Sequence, residues 1–279
     1  MKQTIELDAA TEFGRRQAPL AARLSWWLAT HRLFSSKTRH GLRRRIRGRH
    51  QGPYDVTVGG LNFRTYPAEN YCDRVLFGAG RLPEMAERRL LQPVIRPGMN
   101  FVDVGANVGT YSLWVARLAG PSARILALEP HPRTFAKLRF NIEANLARNI
   151  VALDLGAGEE SAVMQLYFDG GGNVGQSSML AAGAGSAAKP QSARVEPLPD
   201  ILAAEGFTGI DLLKIDVEGY EDRALLPLFT KGPAALWPAA LLIETVQRNL
   251  WETDCIAFLA ERGYREVGAT GQNLLLLRN

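Results

Sequence analysis

Cysteine is scarce in this chain. Cys72 and Cys255 are the only two in 279 residues, far apart and outside any CxxC, so neither a disulfide framework nor a thiolate zinc site is signalled. Long apolar runs are missing too: segments such as Ala239 to Ile243 and Leu274 to Leu277 fall far short of the roughly 20 residues that cross a bilayer. The opening MKQTIELDAA carries Glu6 and Asp8 where a secretory leader would be basic and then apolar, so a cytoplasmic location is expected. Histidine beyond residue 50 is confined to His131. It follows Glu129 so closely that it is expected either to flank a ligand bound there or to sit on the surface. What the chain does have is ordinary globular composition, 46% hydrophobic and 22% charged, enough for one large domain or two small ones.

The net charge of +5 is unevenly spread. Residues 1–52 hold 12 Lys/Arg against 3 Asp/Glu, a local +9, and the rest holds 21 against 25, or −4. The basic pI therefore belongs to one segment, and nucleic acid is not an expected partner of the whole. We expect a basic helical N-terminal extension over 1–52 and one larger domain over 53–279. Within the extension Leu20, Leu24, Trp27 and Leu28 fall at helical spacing, Trp26 and Phe34 add apolar bulk, and Arg16 and Arg23 mark a polar side. The run from Lys37 to His50 follows, rich in arginine. The segment is expected either to dock on the domain or, through residues 20–50, to touch an anionic membrane surface peripherally.

From Tyr54 to Tyr66 a loosely alternating stretch with a Gly-Gly pair predicts a hairpin. Strand and helix patterns then alternate. Phe101–Val104, RILALE and IVALD read as strands, and TYSLWVARLA and PRTFAKLRFNIEANL as helices. Residues 156–196 break the rhythm with a hairpin strand at Val163–Phe168 and a Gly/Ala/Ser stretch that reads as loop. IDLLKID and AALLIE resume it as strands between helices, and YREVGA and NLLLLRN close the chain as an antiparallel hairpin. An α/β fold follows: a mostly parallel sheet covered by helices on both faces, with ligands at the carboxyl ends of its strands.

The sharpest motif is DVGANVGTYS, Asp103 to Ser112. Gly105 and Gly109 allow a tight turn and close ligand approach where a helix begins. Glu129, ending the next strand, is placed to accept from a ribose diol. The spacing is GxxxG rather than the dinucleotide GxGxxG, and Asp103 would repel a pyrophosphate, so an NAD-dependent oxidoreductase is a minor alternative. A ligand with positive charge fits better, and S-adenosylmethionine has an ammonium and a sulfonium and no phosphate.

VDVGANVGTYS, LEP and LLKIDVEGYE together resemble the FkbM-type S-adenosylmethionine-dependent methyltransferases. The resemblance runs from about Glu84 to the C-terminal NLLLLRN and leaves out residues 1–52. It implies a Rossmann-like class I methyltransferase sheet of seven strands. Asp103, Gly105, Asn107 and Gly109, with Ala106 between them, match the cofactor loop. Glu129 matches the ribose acid and is followed by Pro130, and Asp154 falls beside the adenine. The family continues there with Ala where this chain has Leu155-Gly156. Implied is methyl transfer to a small-molecule or glycan acceptor, at a hydroxyl of a sugar, glycolipid or natural product.

LLKIDVEGYE and LLIE put Asp216, Glu218 and Glu244 at neighbouring strand ends, expected to face the same crevice. One carboxylate could take the acceptor's proton. Alternatively Asp216 and Glu244 could ligate Mg²⁺, which would polarise the hydroxyl. Lys214 or Arg223 could instead neutralise these acids, or Glu218 could cap the helix starting near Tyr220. Tyr220 and Gln247 are candidates for the acceptor side. A non-catalytic adenosyl-binding scaffold at a membrane surface is the alternative from another class.

Overall fold

The computed structural model describes residues 6–31, 33–168, 177–178 and 190–279. Among them, no helix is long and apolar enough to cross a membrane.

Helix α1 (Leu20–Thr30) starts after Pro19 and buries Ala22, Trp26 and Ala29. Leu20, Leu24 and Trp27 point outward instead, so the face that docks differs from the leucine-rich one expected. The reason is close packing. At Gly78 an added Cβ would lie 2.7 Å from the Thr30 side chain and 2.8 Å from the Trp26 carbonyl oxygen, an approach that small residues permit and leucines would block. Trp26 Nε1 also donates to the His50 carbonyl at 2.7 Å. The arginine run folds as α2 (Ser36–Ile46), capped by the Ser35 hydroxyl, which accepts from the Thr38 amide at 3.1 Å.

Gly59 and Gly60 both take positive φ, 59° and 74°, as a two-residue hairpin turn with right-handed strand twist requires. They join β1 (Tyr54–Val58) to β2 (Leu61–Thr65). Then come α3 (Tyr71–Ala79), capped by Asn70 and ended by left-handed Gly80, and α4 (Met85–Leu91). In the main domain β3 (Asn100–Val104), α5 (Thr110–Ala119), β4 (Arg124–Leu128), α6 (Pro132–Ala144) and β5 (Ile150–Leu153) follow in order. A small second sheet holds β6 (Gly156–Ala157), β7 (Ala162–Phe168), β8 (Ser177–Ser178) and β9 (Gln191–Glu196). The expected strand at Val163–Phe168 belongs to it, and the loop expected over most of 169–189 lies outside the described residues. The chain ends with α7 (Leu198–Ala204), β10 (Leu212–Ile215), α8 (Glu221–Thr230), β11 (Ala240–Glu244), α9 (Cys255–Ala260), β12 (Tyr264–Ala269) and β13 (Asn273–Arg278).

The seven-stranded sheet has the order β12-β13-β11-β10-β3-β4-β5. The last five strands in that order are parallel, and β13 runs antiparallel to both its neighbours. Side chains alternate across it with period two. Val102, Val104, Leu126, Leu128, Leu213 and Ile215 join a core under α7–α9. Phe101, Ile125, Ala127 and Leu212 join a second core with the hairpin and helices α3–α6. Helices therefore cover both faces, as expected. Chain order reverses between β3 and β10, which opens a crevice at the carboxyl end of the sheet.

Arg64 ties the N-terminal segment to the hairpin. Its Nε and Nη2 donate to the two carboxylate oxygens of Asp55 at 2.8 and 3.0 Å. Its guanidinium also donates to the carbonyls of Asp8, Thr11 and Glu12 at 2.7–3.0 Å and stacks 3.9 Å from the centre of the Phe140 ring. Asp55 in turn accepts from the Gly14 and Arg16 amides at 2.7 and 3.1 Å. Arg64 and Asp55 are both buried, so removing one partner strands the other. Arg64→Met is expected to lower unfolding free energy by about 3 kcal/mol, read from the denaturant midpoint; a loss below about 1 kcal/mol would contradict this account.

Candidate active site

The first βα turn sets the site. Gly105 (φ 78°) passes so close to the next strand that an added Cβ would lie 2.0 Å from the Asp216 carbonyl oxygen, so no other residue fits without moving the loop. The Gly105 and Ala106 amides both donate to the Leu128 carbonyl at 3.0 and 2.9 Å. Asn107 takes a left-handed φ of 51°. Its side-chain oxygen accepts from Asn70 Nδ2 at 2.7 Å, linking the turn to the start of α3. Gly109 precedes α5 at φ 86°, close against Leu138.

Glu129 ends β4 with its carboxylate turned back on this turn, accepting from the Asn107 and His131 amides, each at 2.9 Å. Burial pushes its pKa up to about 7, although the two amides pull the other way. His131 is a buried cap: its Nδ1 accepts from the Thr134 amide at 3.1 Å to start α6. Burial and the nearby Lys137 lower its pKa to about 4, so it holds the neutral ring that capping needs. Neither of the roles expected for it is that of a helix cap.

Lys214 stands opposite Asp103 in the β3–β10 register. Its Nζ lies 3.7 Å from Asp103 Oδ1 and 3.3 Å from Asp216 Oδ2, and donates to the Gly105 carbonyl at 3.1 Å. The ammonium is buried, and its acidic neighbours hold its pKa above the ordinary lysine value despite that burial. The second oxygen of Asp103 accepts from the Ser112 hydroxyl at 2.6 Å. Asp103 thus points into the protein beneath the turn, and burial raises its pKa.

One cavity of about 480 Å³ lies above these strand ends, within the range of small-molecule sites. Of the sequence-predicted residues it brings together Gly105, Asn107, Glu129, Pro130, Asp216, Glu218 and Glu244. Ala106 and Gly109 shape the turn without lining it, Asp103 lies below, and exposed Asp154 stands at the end of β5 outside the lining. Gly156, Ala157 and Leu166 line that end instead. Asp103, the acid expected to repel a pyrophosphate, thus lies beneath the cavity, and other acids line it. Glu84 is one that strand-end reasoning missed: it stands just before α4 at a left-handed φ of 53° and lines the cavity, where burial and Asp216 raise its pKa. Tyr71 and Arg74 of α3 also line it; the Asn70 and Gly80 brackets of that helix were its available signal.

The three strand-end acids divide their work. Lys214 pairs with Asp216, one of the neutralisations considered from sequence, whereas Arg223 pairs with Asp222 and Glu252. Glu221, and not Glu218, caps the next turn, accepting from the Val217 and Gly219 amides at 2.9 and 3.2 Å. Glu218, at a left-handed φ of 55°, accepts from Gln247 Nε2 at 2.7 Å. Burial, then the charges of Asp216 and Glu221, push its pKa up to about 8. Glu244 is raised as well, by burial and then by Asp216 and Glu218, and its Oε2 is buried without a partner. Mg²⁺ ligation by Asp216 and Glu244 does not fit this arrangement. Among the described residues no three His, Cys, Asp or Glu side chains stand together as a metal site, and Lys214 already supplies the cation beside Asp216.

Residues 103–266 match the family model described as "Methyltransferase FkbM domain". The 31-O-demethyl-FK506 methyltransferase FkbM of Streptomyces tacrolimicus is 31% identical over 156 residues, 47% of this chain and 60% of that protein. The AMB antimetabolite synthetase AmbE of Pseudomonas aeruginosa is 29% identical over 171 residues, 48% of this chain and 8% of that protein. This chain therefore spans less than two thirds of either relative. Among solved structures, methyltransferase FkbM from Methylobacillus flagellatus aligns with 75% of this chain and 55% of its own at 18% identity and a TM-score of 0.43. A precorrin-6y C5,15-methyltransferase from Geobacter metallireducens covers 71% and 90% at 13% identity and a TM-score of 0.44. With more than half its length matched by the family model, the chain belongs to the FkbM family of S-adenosylmethionine-dependent methyltransferases.

Proposed function

We propose that this protein transfers a methyl group from S-adenosylmethionine to a hydroxyl oxygen of a sugar, glycolipid or natural-product acceptor. The observation that carries the reading is a single cavity lined both by the Gly105–Asn107 turn with Glu129 and by Asp216, Glu218 and Glu244. The relative named for an O-demethyl substrate supports oxygen as the accepting atom. When bound, S-adenosylmethionine supplies a methyl group on a positively charged sulfur. Gly105 and Asn107 would cradle it, Glu129 would accept from its ribose diol, and the cavity acids would face its positive charges.

An alcohol is a poor nucleophile until its proton has somewhere to go. Glu218 suits that role, because a carboxylate with a pKa of about 8 is ionised in part at neutral pH and binds a proton well once it receives one. Glu244, raised by burial and by the charge of Asp216, stays protonated at neutral pH and acts as a hydrogen-bond donor in this scheme. Asp216, paired with Lys214, supplies the fixed negative charge that sets its neighbours.

A specific observation supports a second reading, of location. Leu20, Leu24 and Trp27 are 79%, 55% and 42% exposed on one side of α1, next to arginine-rich α2. Apolar side chains beside a cationic helix suit peripheral contact with an anionic membrane.

Gly105→Ala is expected to abolish S-adenosylhomocysteine binding in calorimetry, because the turn must move off the Asp216 carbonyl; retained affinity would take the turn out of the site. Glu218→Gln should cut turnover by about 100-fold or more while cofactor affinity stays within threefold. Only ionised Glu218 accepts a proton, so wild-type turnover should rise with pH through a midpoint of about 8 and level off above it, and the variant should lose that rise. Tight cofactor binding with no turnover on any hydroxyl acceptor would favour a non-catalytic scaffold. Leu24→Glu with Trp27→Glu should abolish sedimentation with phosphatidylglycerol vesicles; undiminished sedimentation would remove the membrane reading.

A further inference from the structure

Every charged side chain lining the cavity is an acid except Arg74. Glu84, Glu129, Asp216, Glu218 and Glu244 surround the space in which a cationic cofactor fits, so one guanidinium there needs its own explanation. Arg74 is only 8% exposed. Its charged group lies 5.7 Å from the centre of the Tyr71 ring, and no carboxylate stands within 4 Å of it among the described residues.

Its surroundings make the missing anion more conspicuous. Burial pulls its pKa down to about 10, helped by Arg43 of α2 and by Arg47 just beyond that helix. Arg43 is half-buried. It spends its Nε on the Ala29 carbonyl at 3.0 Å and likewise has no acid within 4 Å among the described residues. Holding Arg74 and Arg43 near one another carries a cost that an incoming anion would offset. A guanidinium matches the oxygens of a phosphoryl group in shape and charge. The cofactor's own carboxylate is the competing ligand for this guanidinium, and the test below separates the two.

Resting on the methyl-transfer reading above, we infer that the acceptor carries a phosphoryl group held by Arg74, with Arg43 adding positive charge behind it, and with its hydroxyl directed toward Glu218. The same chemistry occurs in a soluble phosphorylated compound and in a lipid headgroup.

The test uses the full chain loaded with S-adenosylhomocysteine. Calorimetry with inorganic pyrophosphate should show binding to wild type that Arg74→Gln and Arg43→Gln each weaken by at least about tenfold, while S-adenosylhomocysteine affinity stays within threefold. In parallel, phosphatidylcholine vesicles with and without phosphatidic acid report the lipid source. Arginine-dependent binding of pyrophosphate alone supports a soluble acceptor, and arginine-dependent binding of phosphatidic acid supports a lipid-linked one. Binding of neither, or binding indifferent to both substitutions, would overturn the inference. So would a tenfold loss of S-adenosylhomocysteine affinity in Arg74→Gln, which would assign that guanidinium to the cofactor's carboxylate. Wild type that fails to bind S-adenosylhomocysteine would instead bring down the underlying methyl-transfer reading.

Discussion

Lys214 places a positive charge at the carboxyl end of two adjacent strands where none would be held without acids on both sides. It faces Asp103 across the register, reaches Asp216 at the end of its own strand and donates to the Gly105 carbonyl of the turn between β3 and α5. Three pieces of chain are fixed by one side chain. The near-contact of Gly105 with the Asp216 backbone requires the same closeness, so the ion cluster and the glycine are two aspects of one constraint. A buried ammonium is costly to hold unless its partners are well placed, which makes the arrangement sensitive to loss of any member.

That constraint sets the character of the cavity above it. Because Lys214 sits below the lining with Asp103, its charge is spent on β3 and β10 and on Asp216. Glu218 and Glu244 both keep Asp216 and Glu221 as acidic neighbours, and burial raises both. Glu129 is set apart by its two backbone amides and rises less. Carboxylates of one chemical type are thus spread across different protonation states by their surroundings, the condition under which one can accept a proton beside another that keeps its own.

Much of the fold is readable from local patterns. Phe101–Val104 and Ile125–Leu128 alternate between the two cores as strands buried on both faces do, and the Gly59-Gly60 pair dictates its turn. Glu129, Asp216, Glu218 and Glu244 are readable in the site, because strand ends on a parallel sheet must converge. What local pattern does not carry is direction. Asp103 lies on a strand whose side chains alternate, and it points down to Lys214 and Ser112, information held by the register of a strand more than a hundred residues away. Trp26 docks α1 in place of the leucines because Gly78 on another helix allows it. Glu84 and Arg74 come from segments whose own patterns say helix but give no hint that their side chains meet a cavity.

The raised carboxyls carry a further consequence, for heat and protons. Groups that hold protons in the cofactor-free protein must release some of them when a cation enters and favours their charged forms. Loading of such a ligand would therefore be coupled to the buffer, and its enthalpy in two buffers would differ by the number of protons released times the difference between their ionisation heats.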